Sequence, residues 1–186
     1  LVYREYQDGF WSPDPHLVLD GAQSDTGRYA SIKTNPVTGQ PAVAYRSVTD
    51  DCLYYTWREG LVWHVQRVTD MAGSGYFADL AFNGEGIPFV VHQHYQPNVP
   101  SINMMLSHQA GEVWITRTVD EDRDCGFYSE LEFSSEGVPH IVTYDDTSLG
   151  VRYYMWNGRF WVTELLDSSG TDHIGRYVSL VLDDNG

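Results

Sequence analysis

Gly27-Arg28-Tyr29-Ala30-Ser31-Ile32, Gly75-Tyr76-Phe77-Ala78-Asp79-Leu80, Gly126-Phe127-Tyr128-Ser129-Glu130-Leu131 and Gly175-Arg176-Tyr177-Val178-Ser179-Leu180 are four copies of one phrase. Their glycines stand 48, 51 and 49 residues apart. A tryptophan recurs between them at Trp11, Trp63, Trp114 and Trp161, and an aspartate closes each unit at Asp20, Asp70, Asp120 and Asp167. A period near 50 residues marks an array whose units cannot bury their own apolar faces and must stack on neighbours.

One copy reads as four short strands. In residues 27–70 the first is Tyr29 to Ile32, and Gly39-Gln40-Pro41 opens the second, Ala42 to Tyr45. Leu53 to Trp57 is the third, and Glu59-Gly60 turns into the fourth, Val62 to Val68. The fourth alternates apolar and polar residues, as a half-exposed strand does. The second is more continuously apolar, as a strand covered on both faces is. Gly-x-Pro returns at Gly86-Ile87-Pro88 and Gly137-Val138-Pro139, where proline heads a strand and no ladder bond needs its missing N–H. The pattern predicts an all-β propeller of four-stranded antiparallel blades. Its units are 27–70, 75–120 and 126–167, with third and fourth strands in 1–20 and a first strand in 176–186. The split fourth unit lacks a second strand, so the chain is expected to be a fragment of a larger ring or to assemble with copies of itself. The four tryptophans are expected to pack between blades.

Composition narrows the partners. With 26 acidic and 11 basic residues the net charge is −15, and Lys33 is the single lysine. Such a surface repels nucleic acid and anionic membranes, and no apolar run approaches the 18 residues or so of a membrane span. The block Asp120-Glu121-Asp122-Arg123-Asp124 reads as a solvated loop, with calcium as the alternative, although no Asp-x-Asp-x-Asp-Gly loop is present. No cofactor is expected otherwise. Cys52 and Cys125 fall at non-equivalent places in the repeat, which favours no pairing.

The second full unit departs most from the others. It reads Val91-His92-Gln93-His94-Tyr95 where the first has Ala44-Tyr45-Arg46-Ser47, and its third strand ends at His108. Three readings stay open: satisfied polar residues at blade edges, a metal held by His92, His94 and His108, or a cleft for catalysis or glycan binding. Repeat alignment sets Thr143, not Tyr144, opposite Tyr45 and His92.

The phrase Gly-x-Tyr-x-Ser, Gly-x-Pro, Leu-Tyr-Tyr and Gly-x-x-Trp resembles the blades of secreted bacterial propellers of the sialidase-like, BNR-type group. It stands here as Gly27 to Ile32, Gly39 to Pro41, Leu53 to Tyr55 and Gly60 to Trp63. The sialidase Asp-box, Ser-x-Asp-x-Gly-x-x-Trp, is absent. The resemblance implies a secreted protein and a carbohydrate partner. A weaker resemblance to ulvan-lyase-type propellers implies β-elimination beside a uronate, with His92, His108, Tyr144 and Arg152 as the catalytic set. The reading preferred on the residues is a glycan-binding or scaffold module, with Tyr45, Arg46, Arg58, His94 and Tyr95 as ligand contacts. The alternatives are the lyase and a purely structural array that recruits protein partners.

Overall fold

The computed structural model describes residues 1–12, 16–17, 24–95 and 102–183. The expectations for Asp20 and for the close of the chain at Asp184-Asn185-Gly186 lie outside these residues. Every regular element is a strand. At the N-terminus β1 (Val2–Tyr3) pairs β4 (His16–Leu17), and β2 (Tyr6–Gln7) pairs β3 (Phe10–Trp11), both antiparallel. Three four-stranded antiparallel blades follow, each in sequence order from centre to rim. The first blade is β5 (Thr26–Thr34), β6 (Pro41–Ser47), β7 (Cys52–Glu59) and β8 (Val62–Arg67). The second is β9 (Ser74–Phe82), β10 (Pro88–Tyr95), β11 (Ile102–Ala110) and β12 (Val113–Asp120). The third is β13 (Phe127–Phe133), β14 (Pro139–Asp145), β15 (Gly150–Trp156) and β16 (Trp161–Ser168). The fold is a β-propeller arrangement, and no helix among the described residues is long and apolar enough to cross a membrane.

The repeated phrase has a conformational meaning. Gly27, Gly75, Gly126 and Gly175 have φ between 80° and 97°, and the aromatic two residues on has φ between 49° and 60°. Left-handed backbone at a bulky residue costs of order 1 kcal/mol or more, so four such outliers need compensation. They find it in one another. Tyr29, Phe77, Tyr128 and Tyr177 form a staircase with successive ring centroids 4.8, 4.7 and 4.3 Å apart. Two residues further, a second chain of contacts binds blade to blade. Ser31 Oγ accepts the Leu80 N–H (3.1 Å), Asp79 Oδ2 the Leu131 N–H (2.9 Å), and Glu130 Oε2 the Leu180 N–H (2.7 Å). Burial pushes the Asp79 carboxyl up, against hydrogen bonds from the Ser31 hydroxyl (2.6 Å) and the Leu131 N–H and the charge of Lys33.

Apolar layers fill the space between blades. Ala42, Ala44, Leu53 and Tyr55 of the first blade meet Ala78, Leu80 and Val90 of the second. Val91, Met104 and Leu106 of the second meet Leu131, Ile141 and Tyr154 of the third. The repeated indoles close these layers: Trp63 contacts Tyr3 (4.9 Å), Trp114 contacts Tyr55 (5.3 Å), and Trp161 lies against the second layer. Among the described residues Trp11 has the Tyr6 ring beside it (5.4 Å), and it is 62% exposed.

Residues 176–183 differ from expectation. They follow the course of a first strand, joined to the third blade through Tyr177 and Leu180, but pair with no strand among the described residues. A first strand takes its ladder bonds from a second, and none among the described residues lies beside this segment. The two cysteines are buried and unpaired with each other. Arg67 Nε donates to Cys52 Sγ (3.0 Å), and burial pushes the Cys125 thiol up to about 12.

Candidate functional site

The strand registers show which way each candidate side chain faces. His92 lies opposite Met105, and His108 opposite Phe89. Directly opposed residues share a face and neighbours along a strand alternate, so His92 and His108 point to opposite faces of the second blade. They also sit three rungs apart, about 10 Å along the ladder. Arg152 lies opposite Thr143, so Tyr144, one residue on, faces away from it. The four residues expected to perform β-elimination are thus not brought together.

Each is occupied instead. His92 is fully buried; its Nδ1 accepts the Gly75 N–H (3.4 Å), leaving Nε2–H to donate to Ser107 Oγ (3.0 Å), itself bonded to Thr116 Oγ1 (2.8 Å). Burial lowers the His92 pKa to about 4, so the ring is neutral in the fold. Thr143 does the same task in the third blade, accepting the Gly126 N–H (3.0 Å), which is the alignment read from the sequence. The Tyr144 hydroxyl bonds Asp146 Oδ1 (3.0 Å) and His173 Nδ1. Arg152 Nε donates to the buried Asp145 (2.7 Å).

The expected ligand contacts are mostly interior. Tyr45 is buried and stacks on Tyr54 (5.7 Å). Arg46 is buried; it donates to Ser74 O (3.3 Å), pairs with Asp51 and covers the Tyr76 ring (4.1 Å). Gln93 replaces Arg46 in the second blade and likewise reaches the residue before the next phrase, Cys125 O (3.2 Å). His94 Nε2 bonds Ala72 O (3.1 Å). Arg58 is held by Gln40 (2.8 Å) and Glu5 (2.8 Å). Tyr95 is exposed, edge-on to Tyr76. No group of three or more His, Cys, Asp or Glu among the described residues is placed to hold a metal. Asp120, head of the acidic block, already accepts from Arg123 (2.8 Å) and the Tyr154 hydroxyl (2.8 Å).

Two of the candidates border open space: Arg58, on the first blade and already paired with Glu5, and His108. The cleft at His108, of about 320 Å³, lies where the second blade meets the third, with Phe89, Phe133, Trp156 and Trp161 on its apolar side and His108, Arg117 and Asn83 on its polar side. The His108 ring lies flat on Phe89 (5.1 Å, 15°), Phe133 is edge-on to Phe89 (4.8 Å), and Trp156 is edge-on to Trp161 (5.5 Å). Burial, then the charge of Arg117, lowers the His108 pKa.

At the equivalent position of the first blade a space of about 300 Å³ borders Asn35, Ala42, Tyr55, Trp57 and Arg58, but the place of Arg117 is sealed. Cross-strand pairs Tyr55↔Gln66 and Leu106↔Arg117 make Gln66 and Arg117 equivalent. Gln66 Oε1 accepts from Trp114 Nε1 (3.1 Å) and Gln109 Nε2 (3.3 Å), and its amide donates to Glu112 O (2.8 Å). Arg117 is no acceptor and seals nothing; among the described residues its guanidinium has neither a hydrogen bond nor an ion pair. Leu106 stands where Tyr55 fills the first junction, and His108 where Trp57 does. Sequence reading missed Arg117, Trp156, Phe89 and Phe133. The available signal was the repeat itself, which sets Gln66, Arg117 and Glu164 at one position.

No family model matches the chain, and no curated protein does. Solved structures do. A fucose lectin from Kordia zhangzhouensis, in complex with methyl-fucoside, is 12% identical with a TM-score of 0.52, over 75% of this chain and 99% of that one. A protein of unknown function from Dyadobacter fermentans is 12% identical with a TM-score of 0.61, over 88% of this chain and 57% of that one. Likeness at this identity is a likeness of fold.

Proposed function

We propose that the chain is a sugar-binding propeller module whose binding cleft lies between the second and third blades. The observation that carries this is the uncommitted Arg117 beside His108, facing an aromatic wall that the second and third blades build together. Sugars present C–H faces that stack on indole and phenyl rings and hydroxyls that take hydrogen bonds from arginine, histidine and asparagine. A cleft of this size is at the lower end of small-ligand sites, roughly 300 Å³ and upward, and fits one or two rings. The fold likeness to a fucose lectin supports the same reading. Lyase chemistry draws no support from the geometry, because the groups it needs face different sides of their blades.

A larger ring belongs to the proposal. The aromatic staircase and the hydrogen-bond chain present open steps at both ends: Tyr177 is 76% exposed, and Ile32, equivalent to Leu80 and Leu131, is 55% exposed. Further blades, from a second copy or from the remainder of a longer chain, would continue both.

The test is a titration of the protein with methyl glycosides, methyl-fucoside included, followed by tryptophan fluorescence and the indole N–H resonances. Saturable change confined to Trp156 and Trp161 and abolished in Trp161→Ala is the expected result. Saturable change at other indoles moves the site elsewhere, and none with any glycoside removes the proposal.

A further inference from the structure

The charge of the cleft is out of keeping with the chain that builds it. Acidic residues outnumber basic ones 26 to 11. Seven of the eleven Lys and Arg side chains already hold a carboxylate: those at 28, 33, 46, 58, 67, 123 and 152. Arg117 does not, although it stands on an outer strand of a surface rich in Asp and Glu. No Asp or Glu lines its cleft. At the equivalent position the first blade has a neutral Gln66 and the third an acidic Glu164, and the space on the first blade has its own arginine, Arg58, which is already paired with Glu5 and shares its lining with Glu59. Close to Arg117, His108 has no hydrogen-bond partner among the described residues and packs flat on Phe89.

We propose that the cleft selects acidic sugars, its ligand being a saccharide with a carboxylate on the pyranose ring, a uronate, held by the Arg117 guanidinium while the ring stacks on the indole wall. This rests on the sugar-binding reading above. A guanidinium presents two parallel N–H donors that match a carboxylate's two oxygens, a geometry that a ring hydroxyl cannot satisfy. An arginine left without a carboxylate of its own needs no internal pair to be broken before it takes one from a ligand. The other charged or titratable group at the cleft is His108, and it faces the same space. A bound carboxylate raises the affinity of His108 for a proton, which burial and Arg117 hold down in the free protein, so binding takes up a proton and tightens as the pH falls.

The experiment uses sugar pairs that differ only at C6. Methyl β-glucuronide is titrated against methyl β-glucoside, and methyl α-galacturonide against methyl α-galactoside, by calorimetry at low salt and again in 0.5 M NaCl. One member of the pairs should bind at least about fivefold more tightly when it carries the carboxylate, as a partly exposed bidentate ion pair provides. That preference should shrink in salt and vanish in Arg117→Gln, with the neutral sugar still bound, while Arg159→Gln leaves it intact. Equal binding within both pairs, or tighter binding of the neutral members or of methyl-fucoside, overturns acid selectivity and leaves the sugar-binding site standing. Binding of none of these sugars overturns both. A preference that survives Arg117→Gln places the anion elsewhere and overturns the assignment to this cleft.

Discussion

The two complete blade junctions are built from equivalent positions and end in opposite states. Between the first and second blades Tyr55, Trp57, Phe82 and Trp114 fill the layer, and Gln66 fastens the indole of the next blade. Between the second and third, Leu106 and His108 take the places of Tyr55 and Trp57, and Arg117 replaces the fastening amide. The repeat supplies the scaffold twice; three substitutions turn one seam into a cleft. Stability should therefore concentrate at the first junction and ligand binding at the second.

The largest test of that contrast is acid. Both junctions anchor the glycine that starts the next blade, one through His92 and the other through Thr143. The His92 pKa is lowered from 6.5 to about 4 by burial, so the unfolded chain binds a proton that the folded chain refuses. Stability from this group is complete above pH 6.5 and is lost as pH falls through 4, a difference of about 3 kcal/mol. Denaturant unfolding from pH 7 to pH 4 should show that loss in the natural chain, relative to His92→Thr, which copies the second junction. Parallel profiles for the two proteins would show that His92 is not held neutral.

Indole truncation comes next. Trp114→Ala empties a filled layer and removes one of the two donors to Gln66 Oε1, costing about 3 kcal/mol. Trp161→Ala opens a layer that is already a cleft and breaks no hydrogen bond, so it should cost about 1 kcal/mol less. Equal losses in urea would mean that the junctions are packed alike. A smaller difference separates the glycines. A Cβ at Gly75 would stand 3.1 Å from the Leu53 backbone, whereas at Gly126 the nearest atoms are the Met104 and Gln93 side chains at 3.3 and 3.4 Å. Both positions have φ of 89°, so the strain is common to both and Gly75→Ala should be the costlier by about 1 kcal/mol. Reversal of that order would place the tight seam at the second junction.

The fold was legible because a repeat multiplies weak signals. Gly-x-aromatic, Gly-x-Pro and Gly-x-x-Trp are each common, but at a 50-residue period they set blade type and strand order. What lay beyond reach was orientation. His92 and His108 look like partners in the sequence, since both belong to the unusual unit, and only the β10–β11 register shows them on opposite faces. Tyr45, Arg46 and His94 look like strand-end contacts, yet all three are buried, and Arg46, like its counterpart Gln93, is spent on the carbonyl before the next phrase. Arg117 passes unnoticed because a charged residue on an alternating outer strand is what solvent exposure predicts. Its meaning appears only when it is set against Gln66.

The exchange of those two residues is the smallest perturbation and the sharpest. Gln66→Arg removes the acceptor of the Trp114 indole N–H and sets a cation at the closed seam, which should cost about 1 kcal/mol in urea unfolding. It should create no acid-selective sugar site, since the space beside Tyr55 and Trp57 is lined by Glu59. Arg117→Gln gives the Trp161 indole N–H an acceptor in the geometry of the first junction, and stability should hold or rise by a few tenths of a kcal/mol. In the double variant the two effects should add within about 0.5 kcal/mol, because the residues serve separate layers. A strong coupling between them would mean that the second blade transmits strain from one face to the other, and that seam and cleft are states of a single unit rather than independent edits of a repeated design.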